Sequence, residues 1–276
     1  MVKGERDKPA LLLPHGLWIM NSTMKKALPF LFLVLALLSC NLPALPFLST
    51  PQPTPAGTIH PKFINHPETI LQADWKPFQD AGCKTDPQGQ LRCPPNVAPF
   101  NRLGCYDISQ ASPQLAGLTA GKGVMLCTLE PQPGTQVAPD TYLYSQGCLA
   151  ATYVRLVVFQ NGQFQVIKNL TELKKAFTPL DTPQKALSFS LAATGFQALY
   201  GLKDENERYL AAQIEDTYVK QTSDGFDVQL FSFGACGCGP HAMHLRLVHV
   251  SPGGDLDIDD PRPVWEDPTM DGLCVD

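Results

Sequence analysis

The densest grouping of side chains able to do chemistry is Cys236-Gly237-Cys238-Gly239-Pro240-His241, with His244 and His249 following. Thiolate sulfur and imidazole nitrogen suit copper or zinc, so Cys236, Cys238, His241 and His244 form a candidate ligand set. The two cysteines could instead serve as a thiol-redox pair. Strand geometry opposes a metal cage, because His241 and His249 share a parity while His244 points to the other face. The three histidines then converge only across a bulge. A second grouping, Asp255, Asp257, Asp259 and Glu266, falls at the first, third, fifth and twelfth positions of a calcium loop. That match fails where the loop needs glycine, since Asp260 stands there, and Pro261 and Pro263 stiffen the wrap. Alternation of the acids with Leu256 and Ile258 fits the solvated face of an edge strand as well.

Other chemical patterns are incomplete. Gly117 to Gly123 with Lys122 lacks the spacing of a phosphate loop and the hydroxyl residue after the lysine. Ser145 and Ser190 lie in no Gly-x-Ser-x-Gly context. Isolated carboxylates such as Asp181 and Glu215 read as solvated surface charges. No enzyme class is legible, and a binding or scaffolding role is expected. The formal net charge of −5 comes without a basic stripe, which argues against a nucleic-acid partner because phosphate recognition needs clustered Lys and Arg.

The N-terminal segment reads as an address. Met24, Lys25 and Lys26 precede an apolar run from Ala27 to Leu38, which has the length of a signal-peptide core and is too short to span a bilayer. It ends in Leu37-Leu38-Ser39-Cys40, which resembles the lipobox of bacterial lipoproteins. That resemblance implies cleavage before Cys40 and diacylation of its thiol, with the chain held to the outer face of a membrane by its acyl chains. Residues 1–39 are then the signal region, with translation expected to start near Met24. Residues 40–57 carry prolines at 43, 46, 51, 53 and 55 and read as a semi-rigid polyproline spacer. Residues 58–276 are expected to form a single extracytoplasmic, disulfide-braced domain whose partner is an envelope protein or a small ligand.

With Cys40 set aside, eight cysteines remain: Cys83, Cys93, Cys105, Cys127, Cys148, Cys236, Cys238 and Cys274. An even number in an oxidising compartment predicts four disulfides and no cofactor, copper or zinc being the alternative. Cys83 and Cys93 flank the turn signal Asp86-Pro87-Gln88-Gly89 and are expected to pair, as are Cys105 and Cys127. Cys274 should pin the C-terminal tail to Cys236 or Cys238, with Cys148 taking the other.

These residues need a frame, and the frame predicted is α+β: an antiparallel sheet with one main helix packed on it, after a loop-rich region braced by disulfides. Residues 60–150 are rich in Pro, Gly and Cys and should hold only short strands. Thr152 to Phe159 and Gln163 to Lys168 flank Asn161-Gly162, a hairpin signal. Asn169 with Glu172 opens a short helix by capping, a reading preferred to the glycosylation sequon Asn169-Leu170-Thr171. Thr182-Pro183 opens the longest helix, whose apolar stripe runs through Ala186, Leu187, Phe189, Ala193 and Phe196 to Tyr200. Strands are expected over 213–220, 226–233, 242–250 and 256–258. The helix followed by Asp224-Gly225-Phe226-Asp227-Val228 and Pro252-Gly253-Gly254-Asp255-Leu256 resembles, over residues 182–258, the layout of PepSY-type extracytoplasmic modules, which implies protease inhibition or ligand sensing.

Overall fold

The computed structural model describes residues 59–69, 71–130, 136–205 and 207–275. The segments read as a signal region and a proline-rich spacer, with Cys40, lie outside them. Residues 56–276 form one compact unit. In chain order its main elements are β1 (Lys62–Ile64), α1 (Lys76–Asp80), β2 (Lys84–Thr85), β3 (Leu91–Cys93), β4 (Asp107–Gln110), β5 (Val124–Leu129), β6 (Tyr144–Gln146), β7 (Thr152–Gln160) and β8 (Gln163–Ile167). The helices α2 (Leu170–Phe177) and α3 (Pro183–Thr194) come next. The remaining strands are β9 (Arg208–Tyr209), β10 (Gln213–Glu215), β11 (Val219–Gln221), β12 (Phe226–Gly234), β13 (Gly237–Cys238), β14 (Ala242–Val250), β15 (Leu256–Ile258), β16 (Arg262–Glu266) and β17 (Cys274–Val275).

The class is α+β, and its strands pair almost entirely antiparallel in two principal sheets. The first runs β2-β3-β4-β5-β7-β6, and the second β11-β12-β14-β16-β9. Each is built around a nine-residue strand whose outer edge is shared by two short strands set end to end. Thr152 to Val154 of β7 pair with β6 while Leu156 to Gln160 pair with β8. Ala242 to Leu245 of β14 pair with β16 while Val248 to Val250 pair with β15.

Both sheets are covered on both faces. Val124, Leu156, Val158 and Ile167 from the first sheet and Phe226, Val228, Leu230, Val248 and Val250 from the second share one core with α2 and α3. The opposite face of the first sheet presents Met125, Cys127 and Val157 to Phe78, Phe100 and the buried Cys83 and Cys93. The opposite face of the second sheet gathers Phe231, Leu245 and Val264 with Tyr209 and Ile214. Two buried faces explain why β7 and β12 lack a clean apolar–polar alternation.

The expected hairpin forms: Asn161 and Gly162 both adopt positive φ, at 52° and 76°, the pair of conformations a two-residue turn with matching twist requires. Helix α2 is capped by Asn169, whose Oδ1 accepts from the Glu172 backbone N–H at 2.9 Å, and Glu172 reaches back to the Lys168 N–H at 2.8 Å. Thr182 caps α3 in the same way through Lys185 N–H at 3.2 Å. The stripe proposed to continue to Tyr200 stops short. Gly195 takes φ 69° and closes the helix, and a side chain at 195 would run into the Tyr144 ring.

Helix α3 also differs from a surface helix with one apolar stripe, because every residue from Ala186 to Ala192 is buried. Its small positions make this possible. Ser188 donates to the Gln114 carbonyl across a contact that Gly117 keeps open. The strand expected over 213–220 is two strands, β10 pairing in parallel with β1 and β11 pairing with β12. Between them Asp216 and Thr217 are fully buried.

Candidate functional site

The four disulfides are Cys83–Cys93, Cys105–Cys127, Cys148–Cys236 and Cys238–Cys274. This corrects the copper or zinc alternative: Cys236 and Cys238 belong to different disulfides, so neither offers a thiolate, nor are they a redox pair with one another. A bulge does occur in the β14–β16 register, between Met243 and His244, but it does not bring the histidines together. His241 is 1% exposed, with its Nε2 3.2 Å from the Leu273 carbonyl oxygen beside the last disulfide. His249 pairs with Asp227 at 2.8 Å, and His244 lies against Gly234. Among the described residues no group of three or more His, Cys, Asp or Glu is placed to hold a metal. The calcium-loop acids are likewise dispersed. Asp255 pairs with Lys174 at 2.7 Å, Asp257 sits in β15 opposite His249, and Glu266 is in β16, paired with Arg208 at 2.9 Å.

The two carboxylates singled out as surface charges have partners. Asp181 pairs with Lys185 at 2.8 Å, which lowers its carboxyl below the ordinary range. Glu215 Oε1 lies 2.7 Å from His66 Nε2. Its neighbour Asp216 is the more consequential residue. Its carboxylate accepts from Asn65 Nδ2 at 3.1 Å, from the His66 backbone N–H at 3.2 Å, and from the backbone N–H groups of Gly201 at 2.8 Å and Leu202 at 3.1 Å. One buried acid thereby fixes both β1's exit and the segment after α3.

That segment walls a cavity of about 190 Å³ on the outer face of the second sheet. Trp265 of β16 and Tyr209 of β9 are direct cross-strand partners, and both line it. Phe63 of β1 meets the Tyr209 ring edge-on, with centroids 5.8 Å apart and planes at 80°. Tyr200 supplies a fourth ring from the segment that Asp216 anchors. The polar lining consists chiefly of Lys203, Glu205 and Glu207. Lys203 sits 3.6 Å from Glu205, both side chains well exposed, so this ion pair is weak. The Glu205 N–H donates to the Tyr209 hydroxyl at 2.9 Å.

Glu207 is different: its Oε2 is buried and, among the described residues, has no hydrogen-bond partner. Burial raises its carboxyl above the ordinary value, and the like charges of Asp267 and Glu205 add to the rise. Arg208, next in the chain, is committed elsewhere, to Glu266 and Asp271.

No family model, curated protein or solved structure matches this chain. The site therefore rests on its own geometry, and the other cavities help to rank it. Another, about 330 Å³, lies between Leu115, Leu126, Tyr144, Leu191 and Phe196. No charged side chain lines it, and burial pushes the Tyr144 phenol up to about 12, so it stays neutral. The smaller cavity combines four aromatic rings with the carboxylate residues Glu205 and Glu207, the more specific arrangement.

Sequence reasoning did not find it. Tyr200 was assigned to a helical stripe, and Phe63, Tyr209 and Trp265 lie on three strands that only the fold brings together. The one local signal was Glu205-Asn206-Glu207, a short acidic stretch just before a strand.

Proposed function

We propose that the chain is a membrane-anchored extracytoplasmic lipoprotein, acylated on Cys40, whose folded domain binds a small ligand or partner in the cell envelope. The supporting observation is that all eight cysteines beyond Cys40 are paired. Such complete oxidation suits a compartment where disulfides persist and leaves no spare thiol for covalent catalysis. The lipobox-like Leu37-Leu38-Ser39-Cys40 supplies the anchor in this reading. A binding role accords with a cavity lined by four aromatic rings and two carboxylate residues. The test is metabolic labelling with a fatty-acid analogue, together with non-reducing mass analysis. Label should enter the wild type and be lost in Cys40→Ala, and the wild type should carry four disulfides. Free thiols at Cys236 and Cys238, or label persisting in Cys40→Ala, would contradict the proposal.

A further inference from the structure

We infer that the cavity between Trp265, Tyr209, Phe63 and Tyr200 binds a small methylated ammonium ion, with the Glu207 carboxylate as its counter-ion. The inference deepens the binding role proposed above by naming its ligand class, and does not require the anchor at Cys40. Three features support it.

The first is the walls. Aromatic rings present negative faces that attract a cation without donating or accepting a conventional hydrogen bond. Trp265 and Tyr209 are held rigidly as a cross-strand pair, and Phe63 is fixed edge-on to Tyr209, so little ordering remains to be done on binding.

The second is charge. Glu205 and Glu207 face only Lys203 within the lining, and Lys203 lies beside Glu205. Glu207 lines the cavity, and among the described residues its Oε2, which is itself buried, has no hydrogen-bond partner. Two lining carboxylates against one lysine leave the wall net negative, which favours a cationic ligand through its field rather than through a hydrogen bond.

The third is size. A cavity of about 190 Å³ is smaller than the roughly 300–1,000 Å³ that drug-sized ligands occupy, and holds about six waters at roughly 30 Å³ each. A choline-sized ion fits that volume. A quaternary, fully methylated nitrogen suits the lining better than a primary amine. It carries no N–H groups that would each demand an acceptor, and the lining supplies aromatic rings and carboxylate charge rather than a set of free acceptors.

The experiment is calorimetric titration of the full-length chain, purified in non-ionic detergent with disulfides intact, against choline, its uncharged carbon isostere dimethylbutanol, and butylammonium. Choline should bind about tenfold or more tightly than the isostere and more tightly than butylammonium. Glu207→Gln, checked for native circular dichroism, should lower choline affinity about tenfold while leaving the isostere unaffected. Equal binding of choline and isostere, no binding of choline, or a preference for butylammonium would each overturn the inference. The first comparison needs no variant, so a misfolded mutant cannot obscure it. Cys40→Ala should bind choline as the wild type does, which separates failure of this site from failure of the anchor.

Discussion

Asp216 is the residue on which the candidate site depends most, although it lines no wall of it. Removing its carboxylate leaves the N–H groups of His66, Gly201 and Leu202 without their acceptor and the Asn65 amide with the Leu202 carbonyl alone. Hydrogen bonds to a charged group contribute about 1.5–3 kcal/mol each and are not additive, so Asp216→Ala should cost roughly 3–5 kcal/mol. The check is a drop in the urea midpoint with an unchanged slope. A loss below about 1 kcal/mol would show that these donors find other partners. His249 makes a second prediction. Its imidazole value is raised chiefly by the hydrogen bond to Asp227, with Asp224 and Asp257 adding attraction. A raised folded value means that protonated His249 favours the native state. That contribution is complete below the unfolded value of about 6.5 and disappears as pH rises through the folded one. The stability gap between wild type and His249→Gln should accordingly be widest near pH 5.5 and shrink on going alkaline, and a gap flat across that range would refute the pairing. Neither role was legible in the sequence. Asp216 stood inside a stretch that read as one continuous strand, and the partner of a buried acid, here two loops from distant parts of the chain, is a property of the fold.

At the scale of elements the sequence was more informative, because caps and turns are decided by neighbours within four residues. Asn169, Thr182, Pro183 and Asn161-Gly162 all do what their types suggest. What local pattern could not supply is that α3 is buried on every side from Ala186 to Ala192. Ser188 and Ser190 fell outside the apolar stripe read from the sequence, yet both are fully buried, small residues that let neighbours approach. Gly117 is the tightest of these approaches. A Cβ there would press on Ser188 Oγ and come within 2.8 Å of the Gln184 backbone oxygen. Gly117→Ala should therefore displace α3 from the 113–119 segment at a cost of about 1–3 kcal/mol, in the range of other overpacked cores. Adding Ser188→Ala removes the side-chain conflict but not the backbone one, so thermal denaturation should show only partial rescue. Full rescue would mean that Ser188 alone sets the spacing.

For the whole molecule the question is what couples two sheets that each possess a core of their own. Part of the answer is the shared core around α3, and part is covalent. Cys148 follows β6 of the first sheet and Cys236 follows β12 of the second, so their disulfide bridges the two sheets across 88 residues of sequence. Cys83–Cys93 instead spans 10 residues within the first sheet. If cross-links act mainly by restricting the unfolded chain, stabilisation grows with the logarithm of the closed loop. The long bridge should then exceed the short one by about 2 kcal/mol. Paired alanine variants, Cys148→Ala with Cys236→Ala and Cys83→Ala with Cys93→Ala, compared by reversible denaturation in the absence of reductant, measure that difference. The short bridge is buried among Phe78, Phe100 and Ile108, so its removal also opens a cavity, which acts in the opposite direction. A smaller loss for the long-range pair than for the local one would therefore show that packing around the sulfurs outweighs chain entropy, and that the two sheets are held together by the core at α3.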